Sequence, residues 1–309
     1  MRVIVIGGGI LGASTAFHLA QSGAEVVLVD AAHDGRATAA GAGIVCPWLS
    51  GAADPDWYRI ANAGARYLPG LVSQLAEQGE RDVGHRRVGA LAVAWDEAEL
   101  DLVERLARSR AAEETEAGPV SRLAPPTLRR LFPPLHPDLS AVHVAGADRV
   151  DGRRLSAALL RAAGRRGAEM HAGRAELLAE GGRIKGVRTG AERFAADAVV
   201  VAAGAWAPAL LAPLGLSLSV EPQRGQIAHL RLEGVETDHW PVVLPPGSHY
   251  LLAFERGLIV AGATRELGVG FDYRVTAGGQ AEVLNQALAV APGLASASLI
   301  ETRVGFRPL

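Results

Sequence analysis

The first thirty residues hold the pattern that most constrains the fold of this chain. An apolar stretch at residues 2–6 runs into the sequence GGGILG, a helical stretch follows, and a second apolar stretch covers residues 25–29. In a G-x-G-x-x-G turn, Gly7 permits the tight turn, Gly9 lets the backbone approach a pyrophosphate, and Gly12 lets helix and strand pack closely. The order of strand, turn, helix and strand therefore predicts a parallel β-α-β unit that binds a dinucleotide.

A carboxylate ends the second apolar stretch. Asp30 lies roughly 20 residues beyond the turn, where a carboxylate accepts hydrogen bonds from ribose hydroxyls. The same charge repels a 2′-phosphate, which disfavours NADP, and the pyrophosphate would lie against the free N–H groups at the helix N-terminus. A glycine turn without a bound phosphate is the alternative interpretation, but strand, helix and carboxylate all stand in register with the turn.

Bulk composition argues against several classes of protein. The 309 residues are enough for roughly two domains, and a net charge of −2 gives no basic excess that would indicate a nucleic-acid partner. Cys46 is the only cysteine, so neither an internal disulfide nor a cysteine metal cluster is expected, and a cytoplasmic location is the simplest. Lys185 is the only lysine, and its predicted place in an exposed hairpin disfavours pyridoxal phosphate chemistry.

Motifs for hydrolytic and metal-dependent chemistry are absent from the sequence. It contains no G-x-S-x-G, H-E-x-x-H, C-x-x-C or G-x-x-x-x-G-K segment, and its nine histidines are scattered, so no metal site is expected. His18 is expected to be a packed helix residue, and His249 is a weak candidate for an acid or base. Residues 198–216 carry no charge, but Pro208 and Pro213 interrupt them, which predicts a buried strand, a turn and a short helix instead of a transmembrane segment.

Periodicity along the chain predicts two interleaved domains in an α/β fold that is α+β overall. Residues 1–85 and 147–215 are assigned to a Rossmann-like domain, and residues 86–146 and 216–304 to a mainly antiparallel-sheet domain for the substrate. An interface between two such domains suits a bound ligand. Helices are predicted at 56–80, 97–117, 152–166 and 279–291, an irregular segment at 119–137, and strands at 88–94, 142–144, 197–203, 226–230, 250–254, 258–260 and 299–304.

Further segments carry a resemblance to a known family. They are the β-α-β unit, the small-residue loop RATAAGAG at 36–43, VVVAAGAW at 199–206, PQRGQ at 222–226, GAT at 262–264 and GFRP at 305–308. In this order the set resembles the flavoenzyme family that contains D-amino acid oxidase, glycine oxidase, sarcosine oxidase and D-amino acid dehydrogenase. The resemblance spans nearly the whole chain, and it implies a Rossmann-like FAD-binding domain interleaved with a mainly antiparallel-sheet substrate domain.

The resemblance implies FAD as the cofactor in place of NAD. A covalent link to the FAD is not expected, because Cys46 is the only cysteine and the glycine-loop region has no pair of histidines. Family members usually have a glutamate where Asp30 stands, and either carboxylate accepts hydrogen bonds from a ribose. The implied FAD contacts are Ile10 and Leu11 at the pyrophosphate, Asp30 and Ala31 at the ribose, Ala175 at the adenine, Ala37, Thr38, Ala42, Gly43 and Ile44 along the pyrophosphate and ring, and Gly204 after the second cofactor-contacting strand.

The resemblance also implies how a substrate is held. The family counterpart of Arg307 pairs with the substrate carboxylate, and a guanidinium fork matches a carboxylate with two parallel hydrogen bonds. Tyr250 matches a tyrosine whose hydroxyl helps to hold the same carboxylate. Arg265 is a candidate for contact with a second acidic group, although an ordinary surface arginine is the simpler interpretation.

The implied reaction is oxidation of a small amine that bears a carboxylate, such as a D-amino acid, glycine or sarcosine. Hydride transfer to the flavin gives an imine, which water hydrolyses to a keto acid. Oxygen or a quinone-type electron carrier would then accept the electrons, and the sequence does not distinguish oxidase from dehydrogenase. It also leaves open whether the protein forms a homo-oligomer.

The last residue, Leu309, follows directly after the GFRP segment, whereas family members continue with a glycine-rich strand and a helix. An alternative hypothesis is therefore an FAD-binding protein that is inactive or defective because this segment is absent. An NAD-dependent dehydrogenase is a further alternative that the first motif alone would allow. The later FAD-like segments argue against it.

Overall fold

The structure is a computed structural model that describes residues 1–52 and 54–309. Within these residues the helices are α1 (Ile10–Gln21), α2 (Ala37–Ala40), α3 (Pro55–Glu77), α4 (Glu97–Glu113), α5 (Pro125–Leu131), α6 (Gly152–Arg165), α7 (Ala207–Leu211) and α8 (Ala277–Val290). The strands are β1 (Arg2–Ile6), β2 (Glu25–Asp30), β3 (Ile44–Val45), β4 (Arg86–Arg87), β5 (Ala90–Ala94), β6 (Val120–Leu123), β7 (Ser140–Val144), β8 (Asp148–Arg149), β9 (Glu169–Ala172), β10 (Ala175–Glu180), β11 (Arg183–Thr189), β12 (Glu192–Ala195), β13 (Ala198–Val201), β14 (Pro222–Arg231), β15 (Val242–Leu244), β16 (Tyr250–Ala253), β17 (Leu258–Gly262) and β18 (Ser298–Pro308).

The N-terminal β-α-β unit forms the centre of a four-stranded parallel sheet in the order β13-β1-β2-β9. Alternate side chains of a strand point to opposite faces, so Val5 and Leu28 pack with Phe17 of α1, while Ile4 and Val27 belong to a second apolar cluster. Helices α1, α3 and α6 cover the first face, and the antiparallel sheet β10-β11-β12 lies against the second. Both faces of the sheet are therefore covered, as is typical of parallel sheets.

A second main sheet contains eight strands in the order β18-β14-β17-β16-β15-β5-β7-β6. It is antiparallel apart from the parallel pair β15 and β5. One face packs against α5 and α8 through residues such as Leu128 and Val283, and the other packs Ile227 against Ala40 of α2. This second contact places the small-residue loop at the junction of the two main sheets.

The two main sheets draw their strands from alternating parts of the chain. Those of the parallel sheet come from residues 2–30 and 169–201, and those of the eight-stranded sheet come from residues 90–144 and 222–308. The predicted α/β fold class, a parallel-sheet unit combined with antiparallel sheets, is confirmed. The proposed domain boundaries stay a prediction.

The segment 119–137 is not irregular, which corrects the prediction. Within it, β6 pairs antiparallel with β7, and α5 follows. Pro125 and Pro126 occupy the first turn of α5, where a backbone N–H has no partner within the helix. These prolines therefore begin a helix instead of preventing one.

The strand predicted at residues 197–203 is shorter and less buried than expected. It is β13, in which Ala198 is exposed and the three valines are half-buried. The cause is its position at one edge of the parallel sheet, where only β1 is its neighbour. The helix predicted at 97–117 also ends early, at Glu113, and a short 3-10 turn follows. In the part of the chain that the structure describes, every helix is too short or too polar to cross a membrane.

Candidate active site

The glycine turn is built so tightly that three of its positions exclude a side chain. Gly7 has a φ of +108°, and a Cβ there would lie 2.4 Å from the carbonyl oxygen of Ala202. A Cβ on Gly12 would lie 1.8 Å from the carbonyl oxygen of Gly7, so Gly12 serves the contact between α1 and β1. A Cβ on Gly8 would lie 2.7 Å from the Asp30 carboxylate. The turn therefore brings the start of α1 and Asp30 together.

This turn forms one wall of a cavity of about 520 Å³, which we call the N-terminal cavity. Ile10 and Leu11 lie on this wall with 38% and 67% of their surfaces exposed, so both can contact a ligand in the cavity. The N–H of Ile10 donates to the hydroxyl of Thr38 at 2.9 Å, which ties the small-residue loop to the helix. Predicted residues on the wall of this cavity are Gly7, Gly9, Ile10, Leu11, Asp30, Ala31, Ala37, Thr38, Ala175 and Gly204.

The Asp30 carboxylate lies in the N-terminal cavity next to a cation that the sequence analysis did not assign. Arg36 donates from Nη1 to Oδ2 of Asp30 at 2.8 Å, and the N–H of Ala32 donates to Oδ1 at 3.2 Å. His33 stacks on Trp206 at 4.7 Å between ring centroids, and both line the same cavity. Arg36 is the first residue of the small-residue loop, so that motif could have indicated its place in the cavity. Nothing in the sequence indicated that His33 lines the cavity.

A second cavity of about 230 Å³, the central cavity, adjoins the first at Ala37. Ala42, Gly43 and Ile44 line it, as do Tyr250, Arg265 and Arg307. Gly43 has a φ of +87°, and a Cβ there would lie 1.7 Å from the carbonyl oxygen of Val150. The structure thus brings together every predicted cofactor and substrate residue except Gly12, which lies behind the turn.

Arg307 enters the central cavity from β18 and is half-buried. Its Nη1 donates to the carbonyl oxygen of Thr264 at 3.2 Å and to Oε1 of Gln223 at 3.3 Å. Burial lowers the pKa of Arg307, and the neighbouring charge of Arg265 lowers it further. Among residues 1–52 and 54–309, no carboxylate oxygen lies within 4.0 Å of its guanidinium. The fork therefore keeps donors for an external anion.

Glycines make room for both predicted substrate groups. A Cβ on Gly225 would lie 2.7 Å from Nη1 of Arg307, so the PQRGQ segment needs glycine for the guanidinium to lie over β14. A Cβ on Gly262 would lie 2.4 Å from the Tyr250 hydroxyl. Burial raises the pKa of Tyr250 to about 12, although the charges of Arg307 and Arg265 oppose the shift. Its hydroxyl is therefore protonated at neutral pH and able to donate a hydrogen bond.

The two residues that flank Gly225, Arg224 and Gln226, bind other residues of the protein and do not face the central cavity. Arg224 is buried and pairs with Glu266 and Asp272. Gln226 donates from Nε2 to Glu266 at 2.8 Å, and its backbone N–H donates to the Thr264 hydroxyl at 2.9 Å. The sequence motif identified this segment, but nothing in the sequence indicated that it holds residues 264–266.

A third cavity of about 760 Å³, the outer cavity, shares Ile44, Tyr250 and Arg265 with the central cavity. Its lining is mostly apolar and includes Cys46, whose pKa burial raises to about 12, so the thiol is protonated. His249 also lines it and lies 3.4 Å from Glu282.

The other predicted histidine, His18, lies away from these cavities, hydrogen-bonded to Tyr67 and to the carbonyl oxygen of Ser14. Across the described residues, no group of three or more His, Cys, Asp or Glu side chains is arranged to hold a metal ion.

Comparison with known families decides the class of the protein. The family model "FAD dependent oxidoreductase" (DAO) matches residues 2–309. The chain belongs to this family. The resemblance inferred from the ordered motifs is thereby confirmed, and the protein is an FAD-dependent oxidoreductase.

Relatives of known sequence include another oxidoreductase and a glycine oxidase. This oxidoreductase is 51% identical over 306 residues to the uncharacterized oxidoreductase YurR of Bacillus subtilis and 31% identical over 313 residues to a glycine oxidase of Pseudomonas putida. Each alignment covers 99% of this chain and 82% of the relative.

Solved structures of two oxidases have the same fold as this chain. Iminodiacetate oxidase (IdaA) from Chelativorans sp. BNC1 superposes with a TM-score of 0.97 at 52% identity. Glycine oxidase from Geobacillus kaustophilus superposes with a TM-score of 0.86 at 29% identity. Both superpositions cover 99% of this chain and 83% of the solved one.

Proposed function

We propose that FAD lies, without a covalent link, along the N-terminal and central cavities. The pyrophosphate would face the start of α1 at Ile10 and Leu11, the ribose would face Asp30 and Ala31, and the adenine would face Ala175. The small-residue loop would then follow the cofactor into the central cavity. Steric observations support this placement, because Gly7 and Gly43 approach the backbone so closely that no side chain fits. A non-covalent link is supported by Cys46, the only cysteine, whose thiol is protonated and lies in the outer cavity.

We further propose that the substrate is a small amine bearing a carboxylate. The observation that carries this proposal is the half-buried Arg307 fork, which faces the central cavity without a carboxylate partner among the described residues. A bidentate pair with a carboxylate fixes orientation as well as affinity, and the neutral Tyr250 hydroxyl would add a third hydrogen bond. The relatives that act on glycine and on iminodiacetate both take an amine with a carboxylate, which agrees with this class.

Bound FAD supplies the hydride acceptor, and the protein supplies position. Arg307 and Tyr250 would hold the carboxylate so that the adjoining C–H bond points towards the ring site lined by Ala42, Gly43 and Ile44. The mostly apolar outer cavity would limit water around the amine and favour its neutral form, the form that loses hydride. Water would hydrolyse the resulting imine to a keto acid and an amine or ammonia.

Steady-state kinetics of Arg307→Ala with D-alanine, glycine, sarcosine and iminodiacetate test the proposal. The variant should lose about 100-fold or more in kcat/KM on its best substrate, because truncating one partner of a buried charge pair costs about 2–5 kcal/mol. Its FAD content should stay unchanged. Arg307→Lys should recover part of the loss, since lysine keeps the charge but not the fork. Unchanged kinetics in Arg307→Ala would overturn the substrate assignment.

Two outcomes of the same experiment separate the remaining alternatives. Hydrogen peroxide formed in air during turnover would identify oxygen as the electron acceptor, and its absence despite flavin reduction would identify a carrier. Bound FAD that no amine in the panel reduces would favour the FAD-binding protein without activity.

A further inference from the structure

We propose that Arg265 is a specificity-determining residue that holds a second carboxylate, so that the preferred substrates are amines carrying two carboxylates. This inference rests on the proposed function, in which Arg307 holds the first carboxylate. It specifies substrates with two carboxylates, whereas glycine and sarcosine carry only one each. The expected arrangement is a secondary amine between two acidic arms, each arm on one guanidinium.

Arg265 stands where the central and outer cavities meet. It lines both cavities, as does Tyr250, whereas Arg307 lines only the central one. The two arginines are close enough that the charge of Arg265 lowers the pKa of Arg307. Two cations therefore face one space of about 230 Å³, an arrangement that disfavours an uncharged ligand and favours a dianion.

In the part of the chain that the structure describes, Arg265 has no ion-pair partner. Within the described residues, none of its side-chain nitrogens lies within 4.0 Å of a carboxylate oxygen. The neighbouring acidic groups have other partners: Glu266 pairs with Arg224, and Glu282 lies beside His249. Glu99 also lines the outer cavity, but within the described residues no ion pair joins it to Arg265. The guanidinium is exposed, so water screens its charge until a ligand excludes that water.

The backbone on both sides of Arg265 is fixed. Thr264 is fully buried, accepts the N–H of Gln226 at 2.9 Å and donates to Glu266 at 2.8 Å. Arg224 and Glu266 exchange both of their backbone hydrogen bonds, at 2.9 and 3.0 Å. A site on a rigid backbone holds a ligand group more accurately than one on a free loop.

One short segment thus positions both arginines. Arg224 and Gln226 fix the residues on either side of Arg265, while Gly225 between them leaves room for the Arg307 guanidinium. An ordinary surface arginine would not require this support. The PQRGQ motif is therefore the element that sets the distance between the two anion sites.

The test compares iminodiacetate with sarcosine, which share a secondary amine and differ in one carboxylate. In Arg265→Gln, the ratio of their kcat/KM values should shift about 10- to 100-fold against iminodiacetate, the loss expected for one hydrogen-bonded charge. Arg265→Lys should restore part of the ratio. Arg105→Gln, which removes an exposed cation from α4, is the matched control and should leave the ratio unchanged. Equal losses on both substrates would show general anion attraction and overturn the proposal.

A binding measurement makes the result independent of turnover. Diglycolate and methoxyacetate have an ether in place of the amine and carry two carboxylates and one, respectively. Calorimetric titration of the FAD-loaded protein should show diglycolate binding at least about 10-fold more tightly, with the difference lost in Arg265→Gln. Equal affinities in the unchanged protein would overturn the proposal. If diglycolate shows the expected preference but no amine reduces the flavin, the proposed reaction fails while the second anion site stands.

Discussion

At the scale of residues, the central cavity combines two cations with one hydroxyl that burial keeps protonated. Arg307 and Arg265 supply positive charge, and Tyr250 supplies a hydrogen-bond donor that does not ionise near neutral pH. Such a set recognises a carboxylate by both charge and geometry. Among the described residues, the lining of the central cavity includes no carboxylate or histidine that could act as a general base, so in the proposed reaction burial of the amine would have to favour its neutral form.

Tyr250 is expected to act as a donor across the accessible pH range. Because burial raises its pKa to about 12, the affinity for methoxyacetate, which has no amine to titrate, should stay constant from pH 7 to about pH 10. Tyr250→Phe should bind this ligand about 10-fold more weakly throughout. Calorimetry at several pH values measures both effects. A loss of affinity in the unchanged protein with a midpoint near pH 9 or 10 would show that the hydroxyl ionises normally.

Asp30 gives a second prediction at this scale. Its carboxylate faces the N-terminal cavity and already accepts from Arg36. Asp30→Asn should weaken FAD binding about 10-fold, because a hydrogen bond to a charged group contributes about 1.5–3 kcal/mol and the amide keeps only part of it. Quenching of flavin fluorescence reports the affinity. Asp34→Asn, at an exposed position of the same loop, is the control, and equal affinities of both variants would contradict the assignment.

At the scale of elements, helices and strands were predicted best from the sequence where their local hydrophobic pattern matches the way they pack in the fold. The β-α-β unit, the helix after Asp151 and the strands β14, β16, β17 and β18 follow from periodicity and caps, whereas the short strand β15 was not predicted. The segment 119–137 was missed because prolines at a helix start resemble breakers. The partial exposure of β13 was missed because an edge position depends on the order of strands in the sheet, which composition does not encode.

The residues of the site show the same difference between what local pattern predicts and what the tertiary fold decides. The ordered motifs predicted which residues line the cavities, because their backbone conformations depend on glycine at fixed positions. Partnerships between distant segments were not predictable. The pairing of Arg36 with Asp30 and the support of Thr264 and Glu266 by the PQRGQ segment both arise from long-range packing.

The close approach of β14 and Arg307 provides a prediction for an element. Gly225→Ala would place a methyl group 2.7 Å from Nη1 of Arg307 and displace the guanidinium. We expect a loss of about 10- to 100-fold in kcat/KM with retained FAD, because a shift of about 1 Å in a positioning group is costly. Gly70→Ala in α3, where the methyl group meets open space, should leave kinetics unchanged. Equal kinetics for the two variants would mean that β14 does not set the Arg307 position.

At the scale of the whole molecule, two sheets from alternating parts of the chain enclose a continuous series of cavities. The parallel sheet supplies the turn and Asp30, the eight-stranded sheet supplies Tyr250 and Arg307, and the small-residue loop connects them. Ion pairs add support within each part: Glu80 pairs with Arg161 beside the parallel sheet, and Glu266 pairs with Arg224 beside the eight-stranded sheet. Hydrogen bonds from Arg161 hold the pKa of Glu80 below its usual value, and bonds from Arg224 and Gln226 do the same for Glu266 despite its burial.

These lowered carboxylate pKa values predict acid sensitivity. A carboxylate with a lower pKa in the folded state stabilises the fold above the unfolded pKa of about 4.3, and this stabilisation is lost as the pH falls. The urea midpoint should therefore decrease from pH 6 to pH 3.5. Glu80→Gln should flatten this decrease, whereas Glu236→Gln at an exposed position should not. An unchanged pH dependence in Glu80→Gln would remove this ion pair from the explanation.

The central claim, that the protein oxidises a carboxylate-bearing amine held by Arg307, is tested most directly by anaerobic flavin reduction. The FAD-loaded protein is mixed with iminodiacetate, glycine, sarcosine or a D-amino acid, and the visible flavin absorbance is followed. We predict that at least one amine bleaches the flavin, and that Arg307→Ala needs about 100-fold or more of that amine for the same rate. A flavin that no amine reduces, or one that Arg307→Ala reduces with the same concentration dependence, would contradict the claim.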